Sequence, residues 1–142
     1  MTEQKTNSIE FSILGEPQGK GRPRFTKSGH AYTPEKTRKY ETWVQACATE
    51  AMGGVAPVTG PVGVTIKAFF SIPKSYPKAR KERIALGLEL PTKKPDIDNL
   101  VKSVCDGMNK IVYEDDAQVV SVQAHKAYGN FARVDVKVTW FE

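Results

Sequence analysis

The sequence predicts an α+β domain in which helices pack on a mixed, mostly antiparallel sheet. Apolar and polar residues alternate in four segments, which is the period of half-buried strands, and three other segments carry apolar residues at helical spacing. These elements follow the order β-α-β-α-α-β-β, which lacks the strict strand–helix alternation of a parallel α/β fold. Because 142 residues are the size of one ordinary domain, we expect a single domain over residues 1–142, with a flexible start at residues 1–8.

Turn and cap residues mark the ends of the predicted elements. Pro34 suits the first position of a helix, and glycines end two helices at Gly53 and Gly87. Gly129-Asn130 is typical of a hairpin turn, so the last two strands are predicted to form a hairpin. In order, the elements are a strand over 9–13, a loop over 15–32 with a short hairpin near Ser28-Gly29, a helix over 34–52, a strand over 62–70, a short basic helix over 77–86, a helix over 97–110, and strands over 118–128 and 131–140.

The third predicted helix is amphipathic. At about 100° per residue, its apolar residues fall within one arc of roughly 140°, and its polar residues cluster within about 80° on the opposite side. The apolar positions are Leu100, Val101, Val104, Cys105, Met108 and Ile111, and the polar positions are Asp98, Lys102, Asp106 and Asn109. We therefore expect one side of this helix to enter the core, and a stripe of acidic and basic groups to line the other side.

Charge is distributed unevenly along the chain, which has a net charge of +5. Of the 21 basic residues 16 precede residue 95, but only 8 of the 16 acidic residues do, so that part has a net charge of +8 and the rest −3. All the aspartates follow residue 94. A basic body joined to an aspartate-rich segment suits a protein that binds a phosphate backbone and a divalent cation.

Hydropathy predicts no association with a membrane. No apolar stretch approaches the roughly 20 residues of a membrane span, and residues 1–7 lack the apolar run of a secretory signal. Cys47 and Cys105 fall at apolar positions of predicted helices, where a buried free thiol is expected rather than a disulfide or a metal ligand. These features predict a cytoplasmic protein.

The acidic residues around the start of the third helix predict a metal site. Asp96 and Asp98 lie two positions apart where an extended connector enters the helix, so their carboxylates can point the same way. Asp116 follows the helix and can return to it through a helix–turn–strand reversal. Oxygen ligands without a histidine or thiolate cluster favour Mg²⁺ or Mn²⁺ over zinc. The alternative is that Asp98 only caps the helix and that Asp115-Asp116 is a solvated turn.

Three other motifs fit the acidic residues less well. An EF-hand loop needs a glycine at its sixth position, where this chain has Val101. A phosphatase of the Asp-x-Asp-x-Thr type needs a larger parallel sheet. Pro95-Asp96 with Asp135-Val136-Lys137 imitates a restriction-nuclease pattern, but Asp135 and Lys137 alternate with valines, which is typical of the solvent face of a strand.

A second cluster, over residues 15–24, is basic and rich in glycine. It is not a phosphate loop of the Gly-x-x-x-x-Gly-Lys-[Ser/Thr] type, because Gly21 follows Lys20 and the first glycine is wrongly spaced. Basic groups on such a loop can follow a DNA backbone, and a solvated flexible loop is the alternative. The basic residues predicted to bind DNA here are Lys20, Arg22, Arg24 and Lys27, which interleave with Phe25 and Tyr32.

The chain resembles the RusA family of Holliday junction resolvases. The resemblance rests on residues 94–100 (Lys-Pro-Asp-Ile-Asp-Asn-Leu), on Lys102 and Asp106, on residues 115–119, and on the Gly-Lys-Gly-Arg-Pro-Arg segment at 19–24, and it spans about residues 9–140. It implies an α+β homodimer, often encoded by a phage or prophage, that cleaves four-way DNA junctions in DNA recombination and repair. It also implies dependence on Mg²⁺, with Mn²⁺ as a substitute.

The resemblance also implies roles for individual residues. Asp96, Asp98 and Asp116 correspond to metal-binding aspartates, and Lys102 corresponds to an active-site lysine. Some members carry an arginine before the first aspartate, where this chain has Pro95. The remaining expected contributors are Lys94 as a DNA contact, and Asp106 and Asp115 as residues that support the metal ligands. Two alternatives stay open: a nuclease acting on flaps or single strands, and a non-catalytic DNA-binding module with a structural ion.

Overall fold

The structure is a computed structural model that describes residues 6–21 and 23–141. Within them it forms two sheets, three α-helices and one short 3₁₀ turn. The elements are β1 (Thr6–Leu14), β2 (Arg24–Phe25), β3 (Ala31–Tyr32), α1 (Glu35–Met52), β4 (Val62–Ser71), α2 (Lys78–Ala85), α3 (Ile97–Met108), the 3₁₀ turn (Asp116–Gln118), β5 (Val119–Gly129) and β6 (Arg133–Phe141). The predicted α+β class and the order of the main elements are confirmed, and the short hairpin is β2–β3.

The main sheet has the strand order β1-β6-β4-β5. Strand β6 pairs antiparallel with β1 and β4, and β4 pairs parallel with β5, so the sheet is mixed. The predicted hairpin between the last two strands is therefore wrong, because β4 lies between them. Every second side chain along β4 is buried, which suits a central strand. Gly129 lets the β5–β6 connection pass over the end of β4, since a Cβ there would lie 3.0 Å from that of Phe69.

Helices α1 and α3 pack together, and the core lies between them and one face of the sheet. The predicted core positions Leu100, Val104, Cys105 and Met108 of α3 are buried. Gly107 is buried as well, and a Cβ at this position would come within 2.6 Å of Val44 in α1. The absence of a side chain thus permits close contact between the two helices.

The opposite face of the sheet is polar. In β6, Val134, Val136 and Val138 are buried, whereas Asp135 and Lys137 alternate with them and point away from the helices. Asp135 accepts a hydrogen bond from Ser12 at 2.7 Å and pairs with Arg133. This placement supports the interpretation of Asp135 and Lys137 as a solvent-facing strand surface.

Two boundaries differ from the predictions. Strand β1 begins at Thr6, which pairs with Phe141, so residues 6–8 belong to the sheet and the expected flexible start does not extend through them. Residues 1–5 lie outside the described part of the chain. Helix α3 ends at Met108 rather than at Lys110, because Asn109 already has a non-helical ψ of 133°, and Lys110 then adopts a positive φ of 71°. No helix in the described residues is long and apolar enough to cross a membrane.

Candidate active site

The first two predicted metal ligands lie at the start of α3. Asp96 occupies the N-cap position with extended backbone angles, but its side chain makes no capping hydrogen bond. Asp98 lies in the first turn of the helix and is therefore not the cap. Both residues are exposed, and neither forms an ion pair within the part of the chain that the structure describes. Their carboxylate oxygens thus remain available to an external cation.

The third predicted ligand, Asp116, begins the 3₁₀ turn before β5. Asp115 caps this turn: its carboxylate accepts a hydrogen bond from the Ala117 amide, and the Gln118 side chain accepts one from the Asp115 amide. The Gln118 amide group also donates to the carbonyls of Val58 and Gly60 at 2.7 and 2.8 Å. Asp115 therefore has a structural function here, whereas Asp116 is exposed and forms no ion pair with a described residue.

Asp116 follows Tyr113 by three residues, and the Tyr113 hydroxyl donates to the Cys105 carbonyl of α3 at 2.6 Å. Burial raises the pKa of the Cys105 thiol to about 11, and the nearby charges of Asp106 and Asp116 contribute to this shift, whereas Lys102 opposes it. Burial also raises the pKa of Tyr113, again with a contribution from Asp116. The segment that carries Asp116 is therefore attached to the part of α3 that carries Cys105. Asp96 is nine residues earlier, about 13 Å along a helix axis.

Asp96, Asp98 and Asp116 do not form a ready-made metal-binding group in the described part of the chain. Among residues 6–21 and 23–141, no group of three or more His, Cys, Asp and Glu side chains is placed to hold a metal ion. Mutual repulsion opposes the close approach of three carboxylates unless a cation joins them. Their chemistry nevertheless fits a hard cation, because all three present exposed oxygens that no described lysine or arginine engages. The metal site remains a prediction.

A chain of ionic contacts connects α1, the glycine-rich loop and α3. The Lys20 ammonium lies 2.5 Å from a carboxylate oxygen of Glu41 and 3.1 Å from one of Asp106. Asp106 in turn lies 4.0 Å from the Lys102 ammonium. Partial burial lowers the pKa of Lys20, but the hydrogen bonds and charges of Glu41 and Asp106 outweigh this effect and raise the pKa overall. The Lys20 side chain is 22% exposed, and that of Lys102 is 61% exposed.

The glycine-rich loop is held against the start of α3. The Lys20 amide donates to the Asn99 carbonyl at 3.0 Å, and the Ser103 hydroxyl donates to the Gln18 carbonyl at 2.8 Å. Gly19 is required for this approach, since a Cβ there would lie 2.8 Å from that of Pro95. The glycines of this loop thus serve close packing between the loop and the helices.

A cleft of about 710 Å³ lies beside the start of α3 and has a basic rim. Its lining includes Lys94 and Asp96, as well as three other lysines, one next to Lys94 and two from other segments of the chain. Those lysines are Lys20, Lys36 and Lys93. The ammonium group of Lys93 lies 5.3 Å from the centre of the Phe70 ring, which also lines the cleft. Such a cleft can attract a phosphate backbone to the aspartate at its edge.

The other predicted DNA contacts are in or near the β2–β3 hairpin. Arg24 and Lys27 are exposed there. Arg22 lies outside the described residues. Lys36 and Glu41 are not predicted from the sequence, because they become neighbours of the loop only when α1 packs on it. The helical period predicted that both lie on α1, but it gave no sign of which helix face meets the loop.

Together, the fold and site define an α+β domain with a lysine-lined cleft beside exposed aspartates. The chain matches the family Endodeoxyribonuclease RusA over residues 15–139, and it belongs to this family. Nucleases of the family generally depend on a divalent metal.

Two relatives illustrate the similarity. The uncharacterized protein YqaN of Bacillus subtilis (strain 168) is 38% identical over 135 residues, which cover 92% of this chain and 94% of YqaN. The crossover junction endodeoxyribonuclease rusA of Lactococcus phage r1t is 39% identical over 49 residues, which cover 34% of this chain and 37% of the phage protein.

Proposed function

We propose that this protein is a Mg²⁺-dependent endonuclease that resolves four-way DNA junctions by paired nicks during recombination and repair. The observation that best supports this function is the position of Asp96, a carboxylate without an ion-pair partner among the described residues, at the edge of a cleft lined by lysines. A phosphate drawn into such a cleft arrives beside a residue able to hold a cation. Family membership over residues 15–139 agrees with hydrolysis of DNA.

The proposed metal ligands are Asp96, Asp98 and Asp116. Their exposed carboxylates supply only oxygen, which is the donor that Mg²⁺ prefers, and Mn²⁺ would be accepted as a substitute. One or two bound ions would supply the Lewis acid that activates water and stabilises charge on the scissile phosphate. Asp115 would support this arrangement indirectly, because its capping contacts fix the turn that carries Asp116.

Lys102 is proposed to neutralise charge on the scissile phosphate. It lies one helical turn beyond Asp98, and its side chain is 61% exposed, so its ammonium is accessible to DNA. The 4.0 Å separation from Asp106 leaves room for a phosphate oxygen to become the closer partner. Asp106, fixed by Lys20, would limit the positions that the Lys102 side chain samples.

The proposed DNA path follows the basic residues of the cleft and the hairpin. Lys94 lines the cleft, whereas Arg24 and Lys27 lie on the hairpin beside it. Contacts of this kind supply affinity that is independent of sequence and falls with salt. Because one site cuts one strand, we propose a homodimer that presents two sites related by a two-fold axis.

A cleavage assay tests this function. With Mg²⁺, the protein should nick a mobile four-way junction in two opposite strands and should leave a linear duplex of the same sequence uncut. With a chelator, neither substrate should be cut. Equal cleavage of flaps and junctions would indicate a broader nuclease, and binding without any metal-dependent cleavage would indicate a non-catalytic module.

A further inference from the structure

The β2–β3 hairpin is separate from the main sheet and exposed to solvent. Its strands pair through Arg24 with Tyr32 and Phe25 with Ala31, and they form a separate two-stranded sheet. Hydrogen bonds from the Thr26 amide to the His30 carbonyl and from the Gly29 amide to the Thr26 carbonyl, both 2.9 Å, close its turn. All the residues from 23 to 32 are exposed.

The base of the hairpin is fixed although its tip is free. Before it, the Gly21 amide donates to the Thr37 hydroxyl of α1 at 3.0 Å, and Lys20 is bound to α1 and α3. After it, α1 begins at Glu35. The hairpin is therefore a short arm on a rigid support rather than part of a freely moving loop.

The chemistry of this arm is that of a surface for nucleic acid. Residues 23–32 include Arg24, Lys27 and His30 but no acidic residue. Phe25 is 69% exposed and Tyr32 is 47% exposed. Single exposed aromatic residues are common on protein surfaces, but here two accompany three basic residues within ten positions.

The pairing of the strands places the two aromatic rings on opposite faces of the hairpin. Because adjacent strand residues point to opposite faces, Tyr32 shares a face with Arg24, whereas Phe25 shares the other with Ala31. Each face thus offers one ring on which a base can stack. In a continuous duplex the bases are stacked on one another, so the rings can be used only where bases are unstacked, as at a branch point or in a single strand.

The hairpin also lies beside the cleft. A hollow lined by Arg24 and Pro23 shares Gln18, Gly19 and Lys36 with the cleft that holds Asp96. A strand that enters the cleft is therefore within reach of the hairpin.

We propose that the hairpin over residues 23–32 is a wedge that enters branched DNA and stacks Phe25 and Tyr32 on bases exposed at the branch point. The inference rests on the proposed function and adds the means by which branched DNA is distinguished from duplex. Arg24 and Lys27 hold the phosphates of the diverging strands, and the two rings replace the base stacking that is lost at the branch. The stacking is tolerant of sequence, because every base has an aromatic face.

Equilibrium binding of the full chain in the presence of a chelator tests the wedge without any cleavage. Wild-type protein should bind a four-way junction more tightly than a linear duplex of equal length. Phe25→Leu should weaken junction binding roughly tenfold, the effect of losing one base stack, and leave duplex binding and its salt dependence unchanged. The matched control is Phe141→Leu, which changes a phenylalanine that is 61% exposed at the end of β6 and should bind both substrates as wild type does.

A second measurement locates the contact. A junction carrying 5-iodouracil at the branch point should photocrosslink to Phe25 or Tyr32. Equal losses on junction and duplex for Phe25→Leu, no loss at all, or crosslinks only outside the hairpin would overturn the wedge. A protein that shows these binding differences but does not cut with Mg²⁺ would refute the proposed function alone, so the two failures are distinguishable.

Discussion

At the scale of single residues, the site contains lysines that are engaged by carboxylates and lysines that are exposed to solvent. Lys20 is engaged by Glu41 and Asp106, whereas Lys102 and Lys27 are more exposed. The sequence predicts Lys20 as a DNA contact because it lies in a basic, glycine-rich loop. Charge and spacing cannot show that two carboxylates from different helices reach it. The DNA contact of Lys20 stays a prediction, and from its two ionic contacts we propose a positioning function for it.

The contacts of Lys20 lead to a prediction on salt dependence. Lys20→Gln should lower the cleavage rate, because Asp106 loses the cation that fixes it beside Lys102, but it should hardly change the salt dependence of DNA binding. Lys27→Gln should have the opposite effect, with a salt slope reduced by roughly one unit and little change in the rate of bound DNA. Fluorescence titrations over a series of salt concentrations measure the slopes. A reduced slope for Lys20→Gln would return Lys20 to the group of direct DNA contacts.

The variant Lys102→Met tests whether Lys102 acts on the scissile phosphate or only forms a surface ion pair. As a surface ion pair with Asp106 it would contribute only about 0.3–0.5 kcal/mol to stability. A positioned cation that meets the phosphate in the transition state typically contributes about 10²–10³-fold in rate. We therefore expect cleavage of prebound junction to fall by about 10²–10³-fold under single-turnover conditions, with the unfolding temperature nearly unchanged. Cleavage within a few-fold of wild type would leave Lys102 as a surface ion-pair residue.

At the scale of elements, close packing between the glycine-rich loop and α3 joins the basic and acidic parts of the site. Hydrophobic periodicity predicted α3, its buried residues and its polar stripe, because those properties depend on local sequence. It could not predict that Gly19 meets Pro95, since this contact depends on how the loop and the helix approach each other. The sequence alone therefore leaves a solvated flexible loop open as an alternative, whereas in the structure residues 18–21 are held by Asn99, Ser103 and Thr37.

Gly19→Ala tests this packing. The added Cβ would lie 2.8 Å from that of Pro95 and 3.1 Å from that of Asn99, so the loop must move away from α3. Overpacking of this kind typically costs about 1–3 kcal/mol, and we expect a lower unfolding temperature together with slower cleavage. Gly60→Ala is the control, since nothing lies within 4 Å of the Cβ added there. If both variants melt and cut alike, the contact between the loop and α3 is unimportant.

At the scale of the whole molecule, the fold class followed from periodicity, but the strand order did not. Each strand could be recognised from its alternating residues, and Gly129-Asn130 looked like a local hairpin. The continuous alternation of buried residues from Val62 to Phe70 gives β4 the central position instead, and pairing between distant segments decides such an order. The same limit applies to the site: the sequence selects Asp96, Asp98 and Asp116 as candidate ligands, and their role stays a prediction, but it cannot show how the fold arranges them.

Burial of ionisable groups predicts lower stability at alkaline pH. Cys105 has its pKa raised from 9.0 to about 11 in the folded protein. Below pH 9 the Cys105 thiol is neutral in both the folded and the unfolded protein, and the folded state keeps its full stability. As pH rises from 9 towards 11, the thiol ionises in the unfolded protein first, so the free energy of unfolding falls. The loss should amount to about 2–3 kcal/mol, in addition to contributions from Tyr113 and Tyr40, whose pKa values burial also raises.

Denaturant unfolding under reducing conditions measures this effect. Between pH 9 and 11 the free energy of unfolding should fall less steeply in Cys105→Ser than in the wild type, whatever the difference at neutral pH. Cys47→Ser, which alters a less buried thiol, should follow the wild-type slope more closely. Parallel curves for the wild type and Cys105→Ser would show that this thiol does not titrate as its burial predicts.

The central claim, that the aspartates around α3 form the catalytic metal site, is tested most directly by single-turnover cleavage of a four-way junction with Asp116→Asn. The control is Asp135→Asn, which removes the same charge from the opposite face of the sheet. We predict that Asp116→Asn binds the junction as tightly as the wild type or more tightly, but does not cut it with Mg²⁺ or Mn²⁺, whereas Asp135→Asn cuts normally. Cleavage by Asp116→Asn at the wild-type rate, or loss of cleavage only in Asp135→Asn, would contradict the assignment of the site.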